Sequence, residues 1–332
     1  MELLEATADN LRRAGECIAQ GGLVAFPTET VYGLGADAFD AKAVARIFEA
    51  KARPSFDPLI VHIASISQVE KIAEIPGPSA SALMQALWPG PLTLVMPKRS
   101  WVPDIVTSGL DTVALRLPAH AVARAIIVHS RTAVAAPSAN PFGYISPTLA
   151  RHVQLGLGDK VDLIVNGGAC SIGLESTVLD MTFEPPRLLR PGGTSIEAIE
   201  AVIGPIDRGG AGLESAPGRP PASPGLLDSH YAPRTPLYLV ESSLFAQARP
   251  SGRAAALITS ATSGAILESL AGRFSLARFL SPSGSLIEVA AGLFAALHEL
   301  DSGGFDEIWA ELAGGQGLGP AINDRLYKAS RK

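Results

Sequence analysis

The sequence predicts two α/β domains joined by a linker. The chain has 332 residues, a length typical of two domains. Short β-like runs alternate with amphipathic helical patterns in residues 1–204 and again from residue 237 onward. Residues 205–236 are rich in Gly, Pro and Ser, the composition of a semi-rigid linker. We therefore predict an α/β domain over residues 1–204, a linker over 205–236 and a smaller α/β domain over 237–332.

The strands of the first domain are indicated by short apolar runs bounded by turn residues. These runs are GGLVAF (21–26), PLIVHI (58–63), PLTLVMP (91–97), TVALRLP (112–118), TAVAA (132–136), VDLIVNGG (161–168) and STVLDM (176–181). The helical patterns between them cover 40–51, 81–88, 121–130, 146–153 and 194–204. Asp40 and Ser146 are the expected N-caps of two helices, and Thr194 with Glu197 would form a capping box.

The second domain repeats the same alternation on a smaller scale. The predicted strands are PLYLV (236–240), RAAALITS (253–260) and FDEIWAEL (305–312). The predicted helices are GAILESLA (264–271) and SLIEVAAGLFAALHEL (285–300). Strands that alternate with helices favour an α/β architecture here as well.

Composition excludes several classes of protein. No apolar run reaches the roughly 18 residues that a membrane span needs, and the acidic N-terminus lacks the basic n-region of a signal peptide. The two cysteines, Cys17 and Cys170, form no disulfide framework and suit a reducing cytoplasm. A net charge of −5 argues against bulk nucleic-acid binding but leaves room for a local basic groove.

The stretch FPTETVYGLGADA, residues 26–38, raises the question of what it binds. Gly33, Gly35 and Ala38 superficially fit the dinucleotide fingerprint, but PTETVY separates them from the preceding strand. The Walker A pattern is absent, since no Gly-Lys-Ser/Thr occurs. One interpretation is a strand-to-helix turn that needs glycine dihedrals. The other is a site where the hydroxyls of this stretch bind a small polar ligand.

Cations at the ends of predicted elements leave two interpretations open. Lys51 and Arg53 follow a helix, where they could complement its dipole or bind a polyanion. Alternation along its strand places Arg116 on one face with Thr112 and Ala114. A buried arginine needs an anion, which could be a structural carboxylate or a ligand.

Other polar residues near strand ends extend this pattern. They are His62, Ser138, Asn140, Ser146, Ser176, Thr177, Arg187 and Arg190. A lone strand histidine is more often structural than catalytic, but the set as a whole suits a nucleotide and a small polar substrate. The sequence contains no G-x-S-x-G, no H-E-x-x-H and no Cys/His zinc spacing, so covalent and zinc chemistry have little support.

Seven stretches together resemble the Sua5/YrdC/YciO family, the L-threonylcarbamoyladenylate synthases. They follow the family order and are FPTETVYGLGADA, KARP with DPLIVHI, WPGPLTLV, TVALRLP, APSAN, ESTVLD and LRPGG. The stretch SPGLLDSHYAP and the second domain are similar to the two-domain Sua5 type. The resemblance implies a twisted, concave YrdC-like α/β domain, then the linker, then a small Rossmann-like Sua5 domain.

The resemblance also implies an activity. L-threonine, bicarbonate or CO2, and ATP with Mg²⁺ would give threonylcarbamoyl-AMP and pyrophosphate. The adenylate would feed N6-threonylcarbamoyladenosine formation in tRNA, which a separate transferase machinery completes. Catalysis would consist mainly of positioning and electrostatic stabilisation, because charge spreads over phosphate oxygens.

The same resemblance implies roles for particular residues. The catalytic pattern falls on Lys51, Arg53, Ser138 and Asn140. L-threonine would contact Thr30, Tyr32, His62, Arg116, Ala136 and Ser176. ATP would contact Lys51, Arg53, Asp57, Thr112, Ser138, Ser146, Arg190, Ser223, His230 and Tyr231. No metal ligand from the protein is expected.

The chain departs from the family pattern at two places. Asp57 stands where the family often has Asn, and LLDS at 226–229 replaces the basic residues of family linkers. An extended chain spans roughly 3.3 Å per residue, so the linker is long enough to cross an open sheet face. We expect it to act as a lid over the ligands, the alternative being a passive tether.

Two other functions compete with the synthase. One is a binding module that grips double-stranded RNA or tRNA without turnover. The other is a carbamoyltransferase like those of hydrogenase maturation, whose chains carry an extra zinc-finger or kinase-like domain. Neither extra domain fits this sequence.

Overall fold

The computed structural model describes residues 1–209, 230–260, 270 and 272–331. Contacts divide these residues into two compact units. The first unit holds Met1–Phe142, Pro147–Ser171 and the described residues 175–209. The second holds Gly143–Ser146, Ile172–Leu174 and the described residues from 230 to 331. Two short loops of the predicted first domain therefore belong to the second unit, while the boundaries at 204 and 236 stay predictions.

The first unit is built on a ten-stranded mixed sheet in the order β1-β8-β2-β3-β7-β4-β6-β5-β9-β10. The strands are β1 Glu2–Glu5, β2 Val24–Pro27, β3 Tyr32–Asp37, β4 Ile60–His62, β5 Leu92–Pro97, β6 Thr112–Arg116, β7 Val134–Ala135, β8 Leu163–Asn166, β9 Thr177–Asp180 and β10 Arg187–Arg190. Parallel and antiparallel pairs alternate irregularly across the sheet. The α/β prediction is confirmed, and every predicted strand of this unit is present.

Helices pack on both faces of this sheet. They are α1 Ala8–Ala19, α2 Ala41–Lys51, α3 Val69–Ile72, α4 Gly77–Leu87, α5 Asp104–Thr107, α6 Ala121–Ser130, α7 Ala150–Leu157 and α8 Ile196–Ile203, with short 3-10 helices at Ile66–Gln68 and Gly158–Lys160. Asp40 caps α2 as predicted, since its carboxylate accepts from the backbone N–H groups of Lys42 and Ala43. The buried face of α2 carries Val44, Ile47 and Phe48.

Two predicted helix starts are wrong, and tertiary hydrogen bonds explain both. Tyr32 donates its N–H to the carbonyl of Pro147 at 2.8 Å, so the chain there stays extended and α7 begins only at Ala150. The backbone of Thr194 is tied to the Thr177 hydroxyl, and Ser195 caps α8 in its place. A predicted N-cap does not form when a distant segment makes hydrogen bonds with the same backbone groups.

The two faces of the sheet are covered by different elements. One face carries the main hydrophobic core, which includes Ile47, Leu83 and Leu115. On the opposite face, α1 and α6 cover the half formed by β2, β7 and β8. The remaining half, over β4, β6, β5, β9 and β10, carries a small apolar cluster of Ile60, Val95, Ala114, Val178 and Leu189. His62 of β4 and Thr112 and Arg116 of β6 belong to that half, because they alternate with the main-core residues Val61, Val113 and Leu115 along the same strands.

The glycines of FPTETVYGLGADA are strand residues, so the interpretation of this stretch as a strand-to-helix turn is wrong. Gly33 and Gly35 lie in β3 and pair with Phe26 and Val24 of β2. A Cβ on Gly35 would lie 2.5 Å from the Phe26 ring, so this glycine allows close packing and does not provide an unusual dihedral. The turn itself is the short segment Thr28–Val31 between the two strands.

The second unit contains a parallel four-stranded sheet in the order β11-β14-β12-β13. The strands are β11 Leu237–Val240, β12 Ala254–Ser260, β13 Leu276–Ser281 and β14 Glu307–Glu311. The helices are α9 Leu286–Asp301 and α10 Gly319–Ser330, and Ser242–Gln247 is a 3-10 helix. The predicted strands and the long helix are confirmed, whereas β13 and α10 had not been predicted. The predicted helix 264–271 lies almost wholly outside the described residues.

Two further findings bear on the class of protein. Within the described ranges, no helix is long and apolar enough to cross a membrane. Cys17 and Cys170 are both free thiols.

Candidate active site

The tip of the β2–β3 hairpin holds Arg116. Nη2 of Arg116 lies 2.7 Å from Oε1 of Glu29, and Nη1 donates to the Thr30 hydroxyl at 2.9 Å. The Thr30 hydroxyl also lies 2.7 Å from that of Thr28. All four side chains are buried. The predicted anion for the strand arginine is therefore a structural carboxylate, and the turn Thr28–Val31 between β2 and β3 supplies it.

The charge state of Glu29 follows from this contact. Burial by itself raises the pKa of the Glu29 carboxyl, but the charge and hydrogen bond of Arg116 outweigh it, and the pKa is lowered. The ion pair is therefore present at neutral pH, and Arg116 presents its remaining N–H donors to its surroundings. An arginine has five such donors, and the structure assigns three of them, to Glu29, Thr30 and the Gly90 carbonyl.

His62 lies beside Arg116 and is neutral. The two residues are register partners on the parallel strands β4 and β6. Burial, and secondly the Arg116 cation, lower the pKa of His62 to about 3. Nδ1 of His62 is buried and has no hydrogen-bond partner among the residues described. A neutral imidazole next to a guanidinium can donate a hydrogen bond to a small ligand, or accept one from it, without adding charge.

Ser176 links the residues predicted to bind threonine with those predicted to bind ATP. Its hydroxyl lies 2.7 Å from that of Thr93 on β5. Arg190 of β10 donates to the Ser176 carbonyl at 2.9 Å and to its hydroxyl at 3.3 Å. Ser176, predicted for threonine, therefore touches Arg190, predicted for ATP.

Lys51 is held at the end of α2 by backbone carbonyls. Its Nζ donates to the carbonyls of Ser138 and Asn140, at 2.5 Å each. Burial, and secondly the Arg53 cation, lower the pKa of Lys51. The lysine thus fixes the Ser138–Asn140 loop against α2, and the four residues of the predicted catalytic pattern share one neighbourhood.

Arg53 and Asp57 form a buried ion pair four residues apart. Nη2 of Arg53 lies 2.9 Å from Oδ2 of Asp57. The guanidinium also donates to the backbone carbonyls of Asp57 and Pro58, at 3.1 and 2.9 Å. Burial raises the pKa of the Asp57 carboxyl, although Arg53, Lys51 and Arg190 act in the opposite direction. Asp57 therefore offsets part of the positive charge that these cations supply.

Comparison with known proteins decides the family. Residues 16–192 match the family of Sua5, YciO and YrdC proteins, described as "Telomere recombination". Residues 194–331 match the "Threonylcarbamoyl-AMP synthase, C-terminal domain". The chain belongs to the Sua5/YciO/YrdC family.

Members of the Sua5/YciO/YrdC family with both domains are similar along the whole chain. The threonylcarbamoyl-AMP synthase of Pyrococcus abyssi is 44% identical, with 96% of this chain and 94% of the relative covered. The enzyme of the same name from Bacillus subtilis is also 44% identical, over 98% and 94%. The crystal structure of P. abyssi Sua5 complexed with L-threonine has a TM-score of 0.89 at 42% identity, covering 99% and 98% of the two chains.

Three of the residues predicted to contact a ligand in this Sua5-family chain have groups that are already used or lie at the far end of a strand. Tyr32 is a core residue whose hydroxyl donates to the Gly168 carbonyl at 2.8 Å, while its backbone carbonyl accepts from the N–H of Ala139, between Ser138 and Asn140. Ala136 uses its N–H on the Ile60 carbonyl, so it could offer a ligand only its carbonyl oxygen. Thr112 lies at the opposite end of β6 from Arg116, on the same face.

The remaining predicted ATP contacts belong to the second unit or lie outside the described residues. Ser146, His230 and Tyr231 are all buried residues of the second unit. Tyr231 adopts a φ of 63°, rare for a non-glycine residue, and its ring lies 5.6 Å from that of Phe294. Ser223 and most of the predicted lid, from 210 to 229, lie outside the described residues, so the lid stays a prediction.

Sequence reasoning missed Glu29 and Thr93. Both supply contacts to predicted site residues from another strand or turn. The signal for Glu29 was the buried strand arginine, which requires an anion, together with a carboxylate between two threonines of FPTETVYGLGADA. Thr93 carried a weaker signal, a single hydroxyl in an otherwise apolar strand.

Proposed function

We propose that this chain is a threonylcarbamoyl-AMP synthase, which forms threonylcarbamoyl-AMP and pyrophosphate from L-threonine, bicarbonate or CO2, and ATP. One observation carries the proposal: the first unit buries four cationic side chains, and each of them forms a hydrogen bond to another predicted site residue. The cations are Lys51, Arg53, Arg116 and Arg190. The names of its relatives and the L-threonine bound to P. abyssi Sua5 support this assignment.

Two bond-forming steps are required. The threonine amine adds to the carbon of CO2 and loses a proton, which gives a carbamate. A carbamate oxygen then attacks the α-phosphorus of ATP, and the bond to the β-phosphate oxygen breaks to release pyrophosphate. Neither step needs a protein nucleophile, so the chain contributes orientation and a fixed electrostatic environment.

The threonine side is formed by Arg116, His62, Thr30 and Ser176. Arg116 has donors beyond those it uses on Glu29 and Thr30, and these can bind the threonine carboxylate. Since His62 is neutral, it adds no charge that would repel the ammonium form of threonine. The hydroxyls offer neutral hydrogen bonds to the amino acid side chain.

The ATP side is formed by Lys51, Arg53 and Arg190. These cations stabilise the negative charge that develops on the phosphate oxygens. Mg²⁺ fits this site as part of the substrate MgATP, because Mg²⁺ is commonly bound by substrate phosphates and water. No group of three or more His, Cys, Asp or Glu that could hold a metal occurs in the described part of the chain. The carboxylate of Asp57, which lies beside these cations, is paired with Arg53.

The product determines what must follow. Threonylcarbamoyl-AMP is a mixed anhydride, so it reacts readily with water or with an amine. We propose that a transferase consumes it to modify an adenosine of tRNA. An RNA-binding module without turnover is less well supported, because the site residues are buried.

Labelled bicarbonate tests the proposal. The chain is incubated with carbon-14 bicarbonate, L-threonine and MgATP, and the products are separated by chromatography. We expect one adenylate that carries both the label and threonine. If the label never enters an adenylate, while the chain binds RNA with an affinity that falls steeply with salt, the binding module replaces the synthase.

A further inference from the structure

Two buried threonines each place a hydroxyl against a hydroxyl of the proposed threonine side. Thr28 lies in the turn between β2 and β3 and contacts Thr30, whereas Thr93 lies in β5 and contacts Ser176. Only 2% of the surface of Thr28 and 0% of that of Thr93 is exposed. A hydroxyl has one proton to donate and two lone pairs that accept, so the partners of these four hydroxyls determine which one donates in each contact.

The Thr28 hydroxyl donates to the backbone carbonyl of Val31. The two oxygens are 2.7 Å apart, a separation typical of an O–H···O hydrogen bond. A carbonyl oxygen only accepts, so the proton between them belongs to Thr28. Thr28 then has no proton left for Thr30, although their hydroxyl oxygens also lie 2.7 Å apart. In this second contact Thr30 must therefore donate and Thr28 must accept.

The Thr30 hydroxyl is left with one lone pair for a ligand. Its proton is used on Thr28, and its other lone pair accepts from Nη1 of Arg116 at 2.9 Å. Among the described residues this hydroxyl has no further partner. Because Thr30 cannot donate, it attracts an N–H or O–H group of a ligand and repels an oxygen that carries no proton.

The contact between Thr93 and Ser176 has the opposite consequence. The Thr93 hydroxyl has one partner in the described part of the chain, the Ser176 hydroxyl at 2.7 Å. If Ser176 donated, the buried Thr93 proton would have no acceptor there, which costs the free energy of a lost hydrogen bond. Thr93 therefore donates to Ser176. The Ser176 oxygen also accepts from Arg190 at 3.3 Å, so its lone pairs are used and its own proton remains for a ligand.

Both hydroxyl pairs lie beside Arg116. Thr30 contacts the guanidinium directly. Leu94 of β5 pairs with Leu115 of the antiparallel strand β6, so Thr93 and Arg116 follow at the same end of that ladder. Residues opposite each other on an antiparallel pair share a face of the sheet. A ligand bound by Arg116 on this face thus meets an acceptor at Thr30 and a donor at Ser176.

We propose that Thr28 and Thr93 are positioning residues that fix the hydroxyl protons of Thr30 and Ser176, so that Thr30 only accepts from a ligand and Ser176 only donates to it. L-threonine satisfies both, with its amine or hydroxyl donating to Thr30 and one of its oxygens accepting from Ser176. The identity of this ligand rests on the proposed function, whereas the proton positions do not.

Binding of L-threonine to the full chain, measured by isothermal titration calorimetry, tests the two roles. We expect Thr28→Val and Thr93→Val each to weaken binding about tenfold or more, because the proton of Thr30 or Ser176 is then free to turn in the wrong direction. The matched controls Thr28→Ser and Thr93→Ser keep the hydroxyl, and they should bind L-threonine within about threefold of the unaltered chain.

Double variants separate positioning from a merely structural role. If Thr28 acts through Thr30, Thr28→Val should have no further effect on binding in a Thr30→Val chain. Thr93→Val should likewise have no further effect in a Ser176→Ala chain. The proposal is overturned if either valine variant weakens binding equally with and without the hydroxyl that it is said to position, or if both bind L-threonine as the unaltered chain does.

A neutron structure of the deuterated full chain without ligand shows the proton directions themselves. We expect the hydroxyl deuterons of Thr28, Thr30 and Thr93 to point at Val31, Thr28 and Ser176, respectively. A Ser176 deuteron that points at Thr93, or a Thr28 deuteron that points at Thr30, overturns the proposal. If the full chain neither binds L-threonine nor forms an adenylate, the proposed function fails, and the neutron structure still decides the proton positions.

Discussion

Arg116 and Glu29 lie 87 positions apart in the chain, yet Nη2 of the arginine is 2.7 Å from Oε1 of the glutamate. The hairpin tip between β2 and β3 thereby neutralises a strand arginine that would otherwise be buried without a partner. The pair gives Arg116 a fixed orientation towards His62, its register partner. Whatever Arg116 binds, its position depends on Glu29.

We predict that Arg116→Leu lowers the free energy of unfolding by about 3–5 kcal/mol, because it leaves the Glu29 carboxylate buried and unpaired. Urea denaturation measures the effect. The double variant Glu29→Gln/Arg116→Leu is the matched control and should recover part of the loss. Equal stability of Arg116→Leu and the unaltered chain would contradict the ion pair.

His62 should make the protein sensitive to acid. Its pKa is about 3 in the folded chain, well below the ordinary value near 6.5. Below pH 6.5 the unfolded chain therefore binds a proton that the folded chain does not, and stability falls as the pH falls. The slope from this group is about 1.4 kcal/mol per pH unit between pH 6 and pH 4.

Urea denaturation of the unaltered chain and of His62→Gln across that pH range isolates this contribution. The difference in free energy of unfolding between the two should shrink steadily as the pH falls. A difference that does not change with pH would mean that His62 titrates normally. NMR signals of the His62 ring should likewise stay constant between pH 5 and pH 8.

Gly35 and Gly33 should respond differently to alanine. A Cβ on Gly35 would lie 2.5 Å from a ring carbon of Phe26 and 2.8 Å from Cγ1 of Val134. On Gly33 the nearest contact would be 3.4 Å, to the Cβ of Ala136. We expect Gly35→Ala to cost about 1–3 kcal/mol through overpacking, and Gly33→Ala to cost less. Urea midpoints test this order, and the reverse order would contradict the packing argument.

Asp57→Asn should strengthen ATP binding. Asp57 is fully buried beside Arg53, so its negative charge opposes a triphosphate bound by the same cations. Arg53 keeps its bonds to the carbonyls of residues 57 and 58 in this variant. We expect the KM for ATP to fall three- to tenfold, about 1 kcal/mol. Asp207→Asn, which alters a carboxylate paired with Arg187, is the control. A higher KM in Asp57→Asn would show that the carboxylate supports ATP binding.

Periodicity predicted much of the fold, because side-chain alternation reports which face of a strand is buried. Val113 and Leu115 belong to the main core and Ala114 to the opposite face, as the pattern of TVALRLP predicts. The predicted caps at Ser146 and Thr194 are wrong, because hydrogen bonds to distant segments compete for the same backbone groups. Strand β13 and helix α10 gave little signal, since α10 begins with Gly-Pro, a pair that normally marks a turn.

The candidate site was harder to predict than the fold. The resemblance placed Lys51, Arg53, Ser138 and Asn140 together, and the structure brings them into one neighbourhood. The partners of these residues depend on long-range contacts that a single sequence does not reveal. Glu29 was not identified for this reason, and the hydrogen bond from the Tyr32 hydroxyl to the Gly168 carbonyl was not foreseen either.

Release of pyrophosphate from ATP tests the central claim most directly. The full chain is assayed with MgATP, L-threonine and bicarbonate together, and then with threonine or bicarbonate omitted in turn. We predict release only when all three are present. Serine should replace threonine poorly, since the missing methyl contact is worth about 1–3 kcal/mol. Pyrophosphate release at the same rate without threonine or without bicarbonate would contradict the synthase assignment.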